Sequence, residues 1–144
     1  MADSIKVITG LTRKRLTSCA TLTAMVGSQA IRQAQGRPPT TCPAIRVRVV
    51  GGTGRRPKSL ISGDVYINIY STHAQAGLEL ASIYNVVYNR IMATAIVSLA
   101  TTDGAVGAYY NEFCDYPLYD PEEGANRSYL TSRFRFSGQN RTLL

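Results

Sequence analysis

The spacing of apolar residues changes three times along this chain, and each change predicts a new kind of element. In residues 4–26 the apolar side chains recur mainly every three or four positions, as on one face of an α-helix. They are Ile5, Ile8, Leu16, Cys19, Leu22 and Val26. Gly10 allows an interruption, in which case the helix begins near Leu11. Gly27 and Ser28 end the helix, and a short edge strand is expected at residues 30–32.

From Ala44 the repeat is two, which is typical of a strand with one buried face. Two runs share this alternation: Ile45, Val47 and Val49 between Arg46 and Arg48, and Val65, Ile67 and Ile69 between Tyr66, Asn68 and Tyr70. The Gly-, Arg- and Pro-rich residues 51–62 join the two runs. The pattern therefore predicts a β-hairpin with a long loop.

A helical repeat returns after the second strand. Thr72 and Gln75 have the spacing of a capping box at a helix start. The apolar stripe that follows consists of Leu80, Ile83, Val87 and Ile91. These features predict a helix over residues 73–95, with its tyrosines at the edge of the core rather than in a cofactor site.

Two further strands are expected, over residues 108–114 and 128–137, with a turn-rich acidic loop between them. Leu130, Phe134 and Phe136 face inward in the last strand, and residues 138–144 are expected to be a loose tail. We therefore predict a single α+β domain over residues 1–144, in which two amphipathic helices pack on one face of an antiparallel β-sheet. The other face of the sheet would carry Arg46, Arg48, Arg133, Arg135, Tyr66, Tyr70 and Tyr129.

Charge is distributed unevenly along the chain. Residues 1–60 contain eleven Lys and Arg against Asp3 alone, whereas residues 61–144 contain five Arg against eight acids. Within the second half, residues 101–126 carry six acids and no basic residue. Such a distribution suits binding to nucleic acid, and it suits head-to-tail binding between copies of the chain equally well.

The sequence argues against catalysis. Residues 52–59 read G-x-x-x-x-P-K-S, one residue away from a phosphate-binding P-loop. Pro57 has no N–H to donate, and the pattern places a strand rather than a helix after the loop. One histidine, His73, and three cysteines far apart in sequence give no metal-ligand spacing. We expect no enzyme activity, no cofactor and no bound metal.

No apolar run is long enough to span a bilayer, and the first residues lack the apolar core of a signal peptide. We therefore expect a protein without a membrane segment that is soluble and intracellular when made.

The order of elements resembles that of a known family. An N-terminal helix is followed by the segment Pro39-Thr40-Thr41-Cys42-Pro43, which leads directly into a strand. A long hairpin then leads to the strand Val65-Tyr66-Ile67-Asn68-Ile69-Tyr70-Ser71, and a helix follows that strand immediately. An acidic loop and an Arg-Phe-Arg-Phe strand close the chain. This arrangement is similar to the tail-terminator family of long-tailed bacteriophages, of the phage lambda type.

The resemblance implies a structural protein of the virion neck. Such a protein forms a homo-hexameric ring on the tail-tube protein, stops tube polymerisation and presents a surface to the head-connector protein, while double-stranded DNA passes through the hole. It would be assembled in the cytoplasm of the bacterial host. A head-side ring that joins head and tail remains the alternative within this class.

A ring of identical copies needs two different patches that meet around the circle. The candidates are a basic loop, Arg55, Arg56 and Lys58, and an acidic loop, Asp120, Glu122 and Glu123, together with the outward-facing Arg46, Arg48, Arg133 and Arg135. The basic loop could instead dock on the tail tube, contact passing DNA weakly, or remain solvated.

A nucleic-acid-binding module is the rival from another class, because an Arg- and Tyr-rich sheet face resembles the platforms of single-strand RNA readers. However, residues 133–138 do not match the RNP1 pattern, and the alternation assigns their phenylalanines to the core.

Overall fold

The computed structural model describes residues 4–34, 39, 41–55, 60–71, 76–92, 105–114, 118–119 and 128–140. The helices are α1 (Ser4–Thr17), α2 (Ala20–Val26), a short 3-10 helix (Ser28–Ala30) and α3 (Ala76–Met92). The strands are β1 (Ile31–Gln33), β2 (Ala44–Arg55), β3 (Leu60–Ser71), β4 (Ala105–Cys114), β5 (Leu118–Tyr119) and β6 (Ser128–Asn140).

The strands form one sheet in the order β1–β2–β3–β6–β4, with β5 also paired to β6. All pairs are antiparallel except β1 with β2, which run parallel and set Ile31 opposite Ile45. Because β3 occupies the other side of β6, β5 lies on the same side as β4. The sheet therefore has β1 at one edge, and β4 and β5 at the other.

The core lies on one face of the sheet. Ile45, Val47 and Val49 of β2 are buried there together with the alternating apolar residues of β3 and β6. The helices cover them with one continuous cluster, to which α1 contributes Ile8, Leu11 and Leu16, and α3 contributes Leu80, Ile83, Val87 and Ile91. The predicted α+β class, the hairpin and the placement of both helices on one face are confirmed.

The hairpin is longer than its sequence suggests. Pairing between β2 and β3 continues to Arg55 opposite Leu60, with a register shift between Val50 and Thr53. Most of the predicted loop 51–62 is thus strand, and residues 56–59 lie outside the described part. The glycines of residues 51–54 weaken β2 when it is considered alone. Its partner β3, however, is paired with β6 along its whole length, so the end of β2 extends along a strand that is already held in place.

The last strand is longer as well. Gly138 pairs with Ile61, and Asn140 pairs with Ala105. The first three residues of the segment expected to be a loose tail therefore belong to β6. Residues 141–144 lie outside the described part.

The first helical segment breaks at a different point from the one the sequence suggests. Helix α1 runs through Gly10 and ends at Thr17, and α2 starts at Ala20. A helical glycine costs about 1 kcal/mol, but Ile8 and Leu11 on either side are fully buried, and their burial outweighs that cost. At the true break, the hydroxyl of Ser18 donates to the Arg15 carbonyl (3.1 Å), a local bond that competes with helix continuation.

Two arginines join the ends of α1 and α3. Arg15 Nε donates to the carbonyl of Arg90 (3.0 Å), and Arg90 Nε donates to the carbonyl of Arg15 (2.9 Å). Each arginine thus reaches a carbonyl in the last turn of the other helix, where the intrahelical hydrogen bonds run out and the helix dipole is negative. Arg15 is buried by this contact.

Candidate interaction surface

The face of the sheet opposite the helices is built from arginine, tyrosine and short polar side chains. We call it the Arg–Tyr face. Its described side chains are Arg32, Arg46, Arg48, Asp64, Tyr66, Asn68, Tyr70, Tyr129, Thr131, Arg133 and Arg135. Among them five are arginines and one is acidic, so this face is positively charged.

Strand register brings these side chains together in rows across the sheet. Arg48 is opposite Tyr66, which is opposite Arg133. The guanidinium carbon of Arg48 lies 4.9 Å from the centre of the Tyr66 ring, within the range of a cation–π contact. In another row the rings of Tyr70 and Tyr129 are 5.7 Å apart. The tyrosines are therefore held in fixed positions against their cross-strand neighbours.

Polar contacts complete the rows. Arg135 Nη1 donates to Asp64 Oδ1 at 3.2 Å, and Thr131 Oγ1 donates to Asn68 Oδ1 at 3.0 Å. The side chains of Arg135 and Asp64 are 45% and 27% exposed, so water screens their ion pair. These contacts order the surface more than they stabilise the fold.

Arg46 is held by backbone carbonyls at the β1 side of the face. Its Nη1 donates to the carbonyls of Ala30 (2.9 Å) and Ile45 (3.0 Å), which fixes the guanidinium against the edge of the sheet. Burial, followed by the neighbouring charge of Arg32, lowers the pKa of Arg46. Arginine remains protonated at physiological pH even so. The edge thus holds two like charges side by side.

The structure brings four of the predicted interface residues together on this face: Arg46, Arg48, Arg133 and Arg135. Arg55 ends β2, although its side chain is not among those described. Arg56, Lys58, Asp120, Glu122 and Glu123 lie outside the described residues, as does His73. Sequence reasoning did not single out Arg32; the available signal was the predicted edge strand around it, whose pairing with β2 sets Arg32 opposite Arg46.

The two described carboxylates have partners of their own. Asp64 pairs with Arg135, and Glu79 Oε1 accepts a hydrogen bond from Ser71 Oγ at 2.7 Å. Within the described part of the chain, no three His, Cys, Asp or Glu side chains are grouped so that they could hold a metal ion. No helix in the same residues is long and apolar enough to cross a membrane.

The phenylalanines of the Arg-Phe-Arg-Phe strand are unavailable for base stacking. Phe134 and Phe136 are both 0% exposed and belong to the core beneath the helices. A single-strand RNA platform needs exposed aromatic rings on its open sheet face. The Arg–Tyr face still carries three half-buried tyrosines, Tyr66, Tyr70 and Tyr129. Its composition therefore suits a protein interface, where Arg and Tyr are enriched, as well as a surface on which bases could stack.

Comparison with known proteins identifies a shared fold. No protein-family model matches the sequence, and no curated protein matches it. Among solved structures, the chain is similar to one from the "Virion of native gene transfer agent (GTA) particle", with a TM-score of 0.71 and 13% sequence identity. The match covers 96% of this chain and 99% of that chain, so the two share the whole fold.

Proposed function

We propose that this protein is a structural component of a virion rather than an enzyme. The observation that carries the proposal is the match in fold to a chain of a virion particle, over nearly the full length of both chains. The element order independently resembles the tail terminators of long-tailed phages, which are also virion proteins. The composition of the Arg–Tyr face, five arginines and three tyrosines among its described side chains, fits a binding role.

Within the virion, we propose that the protein forms the ring that caps the tail tube at the neck. A closed ring needs a heterologous interface, in which one patch of each copy meets a different patch of the next. The sheet offers two different edges, β1 on one side and β4 with β5 on the other. The six-fold symmetry of the proposed ring is taken from the tail-terminator resemblance.

The basic end of the β2–β3 hairpin is the proposed contact with a neighbouring copy or with the tail tube. Replacing Arg55, Arg56 and Lys58 with serine removes three positive charges. We expect the variant to keep the wild-type melting temperature and to lose ring formation or tube capping. If the variant caps tubes as wild type does, the hairpin end is merely solvated.

The first experiment is to measure the mass of the purified protein across concentration, with and without added Mg²⁺, and to image the same samples by negative stain. Six-fold rings with a hole wide enough for a DNA duplex are the expected result. The sample is then added to polymerising tail-tube protein, which a terminator should stop at a fixed length. Binding to the head connector without any effect on tube length would assign the head-side joining role instead.

DNA passing through such a ring should be held weakly, because each phosphate neutralised by a Lys or Arg adds salt-dependent affinity and would oppose transit. A tight, salt-dependent complex with short oligonucleotides, formed by a monomer, would contradict the proposal and favour a nucleic-acid-binding module.

A further inference from the structure

A pocket of about 410 Å³ opens at the β1 edge of the sheet. The end of α2, the 3-10 helix and the first residues of β2 surround it. Its lining combines apolar side chains with two cations and includes Val26, Ala30, Ala44, Gln29, Arg32 and Arg46. The pocket thus pairs positive charge with apolar surface.

The two arginines of the pocket are positioned by backbone carbonyls. Arg32 Nε donates to the carbonyl of Gln29 at 2.7 Å, while Arg46 Nη1 donates to the carbonyls of Ala30 and Ile45. A guanidinium has five N–H donors, so most donors of both groups are not used by these bonds. Two oriented guanidiniums match a carboxylate or a phosphate, which can accept two hydrogen bonds from one arginine.

The electrostatics of the pocket also favour an anion. Arg32 and Arg46 are opposite each other in the parallel pair, so their like charges repel. Burial of Arg46, followed by this repulsion, lowers the pKa of Arg46. An anion seated between the two arginines would offset their mutual repulsion.

We propose that this pocket binds the carboxylates of Asp120, Glu122 and Glu123 of a second copy of the chain. These acids follow β5 directly and belong to residues 101–126, which carry six acids and no basic residue. Tyr119 and Pro121 next to them would meet the apolar part of the lining. The inference rests on the proposed ring and specifies its interface.

The sheet topology favours an intermolecular contact. The pocket lies at β1, whereas the acidic residues follow β5, which is paired on the β4 side of β6. The order β1–β2–β3–β6–β4 separates these edges by four strand spacings, or about 19 Å. One copy therefore has the pocket at one edge, and the strand from which the sequence continues into the acids at the other, an arrangement that suits head-to-tail association.

Charge reversal tests the contact. The pocket variant is Arg32→Glu, chosen because Arg32 is exposed. The acidic variant carries Asp120→Lys, Glu122→Lys and Glu123→Lys. Arg13→Glu, on the exposed side of α1, is the matched control for the change in charge. Self-association is measured by analytical ultracentrifugation, and folding is checked by circular dichroism.

We expect the pocket variant and the acidic variant each to self-associate at least tenfold more weakly than wild type, and the control to match wild type. An equimolar mixture of the two variants should regain association. In alternating copies the new carboxylate of the pocket variant meets the introduced lysines, and the unchanged pocket meets the unchanged acids. Recovery in the mixture is a result that general destabilisation could not produce.

The other outcomes overturn the inference in distinguishable ways. If wild type and Arg32→Glu both form rings, the pocket assignment fails and the proposed function stands. If wild type stays monomeric at every concentration and on tail tubes, the ring and the pocket assignment fail together. If Arg32→Glu loses affinity for inorganic phosphate or a short duplex while self-association is unchanged, the pocket binds phosphate groups instead.

Discussion

The reciprocal contact between Arg15 and Arg90 predicts that replacing Arg90 lowers the stability of the fold substantially. Sequence rules alone would place an arginine at this position on the surface and expect little effect. Arg90→Ala removes the bond from Nε to the Arg15 carbonyl (2.9 Å) and the bond from Nη2 to Ser18 Oγ (2.7 Å). It also removes a positive charge at the C-terminal end of α1. All three losses act where the helix has unsatisfied carbonyls.

The size of the effect follows from these contacts. A hydrogen bond from a charged donor contributes about 1.5–3 kcal/mol, and the partly exposed position of Arg90 favours the low end for its bond to the Arg15 carbonyl. The exposed bond to Ser18 adds about 0.5 kcal/mol, and the helix dipole about 0.5 kcal/mol. We expect a loss of about 2.5 kcal/mol in the free energy of unfolding, which lowers Tm by about 7 °C in a domain of this size.

Urea unfolding followed by circular dichroism measures this loss. Arg13→Ala is the matched control, because Arg13 lies on the exposed side of the same helix and its replacement should change stability by less than about 0.5 kcal/mol. Arg90→Lys keeps the charge without the planar fork of donors and should fall between the two. If Arg90→Ala is as mild as Arg13→Ala, the contact contributes nothing and the reasoning is wrong.

Three further results are expected from unfolding measurements. Gly27 has φ 84° and ψ 141°, a region of backbone conformation that is nearly exclusive to glycine. An added Cβ would meet no atom within 4 Å, so the cost of Gly27→Ala comes from the backbone and should be about 1–3 kcal/mol in the free energy of unfolding. A neutral result would show that the backbone relaxes there. Phe134→Ala empties a fully buried site and should cost about 3–5 kcal/mol, whereas Phe134→Leu should cost clearly less. Asp64→Asn breaks only the screened pair with Arg135, so a change above about 1 kcal/mol would contradict the weak role given to it.

The parts of the fold that sequence could predict are those in which local pattern and final packing agree. In α3 the four residues Leu80, Ile83, Val87 and Ile91 recur at the helical repeat, and all four are buried. In β2 and β3 the alternation of apolar with polar residues matches the two faces of the sheet residue by residue. Such agreement needs no knowledge of distant partners.

The parts that sequence missed depend on distant partners. Arg15 is buried because it donates to a carbonyl 75 residues away, which no local pattern reveals. Residues 51–55 read as loop because of their glycines, yet pairing of β2 with β3 makes them strand. The candidate site likewise has a part that sequence could predict and a part that it could not. The alternation of apolar and polar residues predicts that Arg46 and Arg48 lie on the open face. The pairing of Arg32 with Arg46 depends on the parallel register between two separate segments, which no local pattern reveals.

The arrangement of charge across the sheet bears on how copies of this chain can associate. In a two-fold dimer formed through one sheet edge, that edge meets the same edge of the partner, so pairing through β1 would set Arg32 and Arg46 close to their own copies. The opposite edge contains β5, after which the sequence continues into Asp120, Glu122 and Glu123. Like charges in contact raise the free energy of association, whereas the proposed head-to-tail contact would bring opposite charges together. Two-fold pairing through β1 alone is therefore electrostatically disfavoured, whereas the head-to-tail contact proposed above would avoid this repulsion.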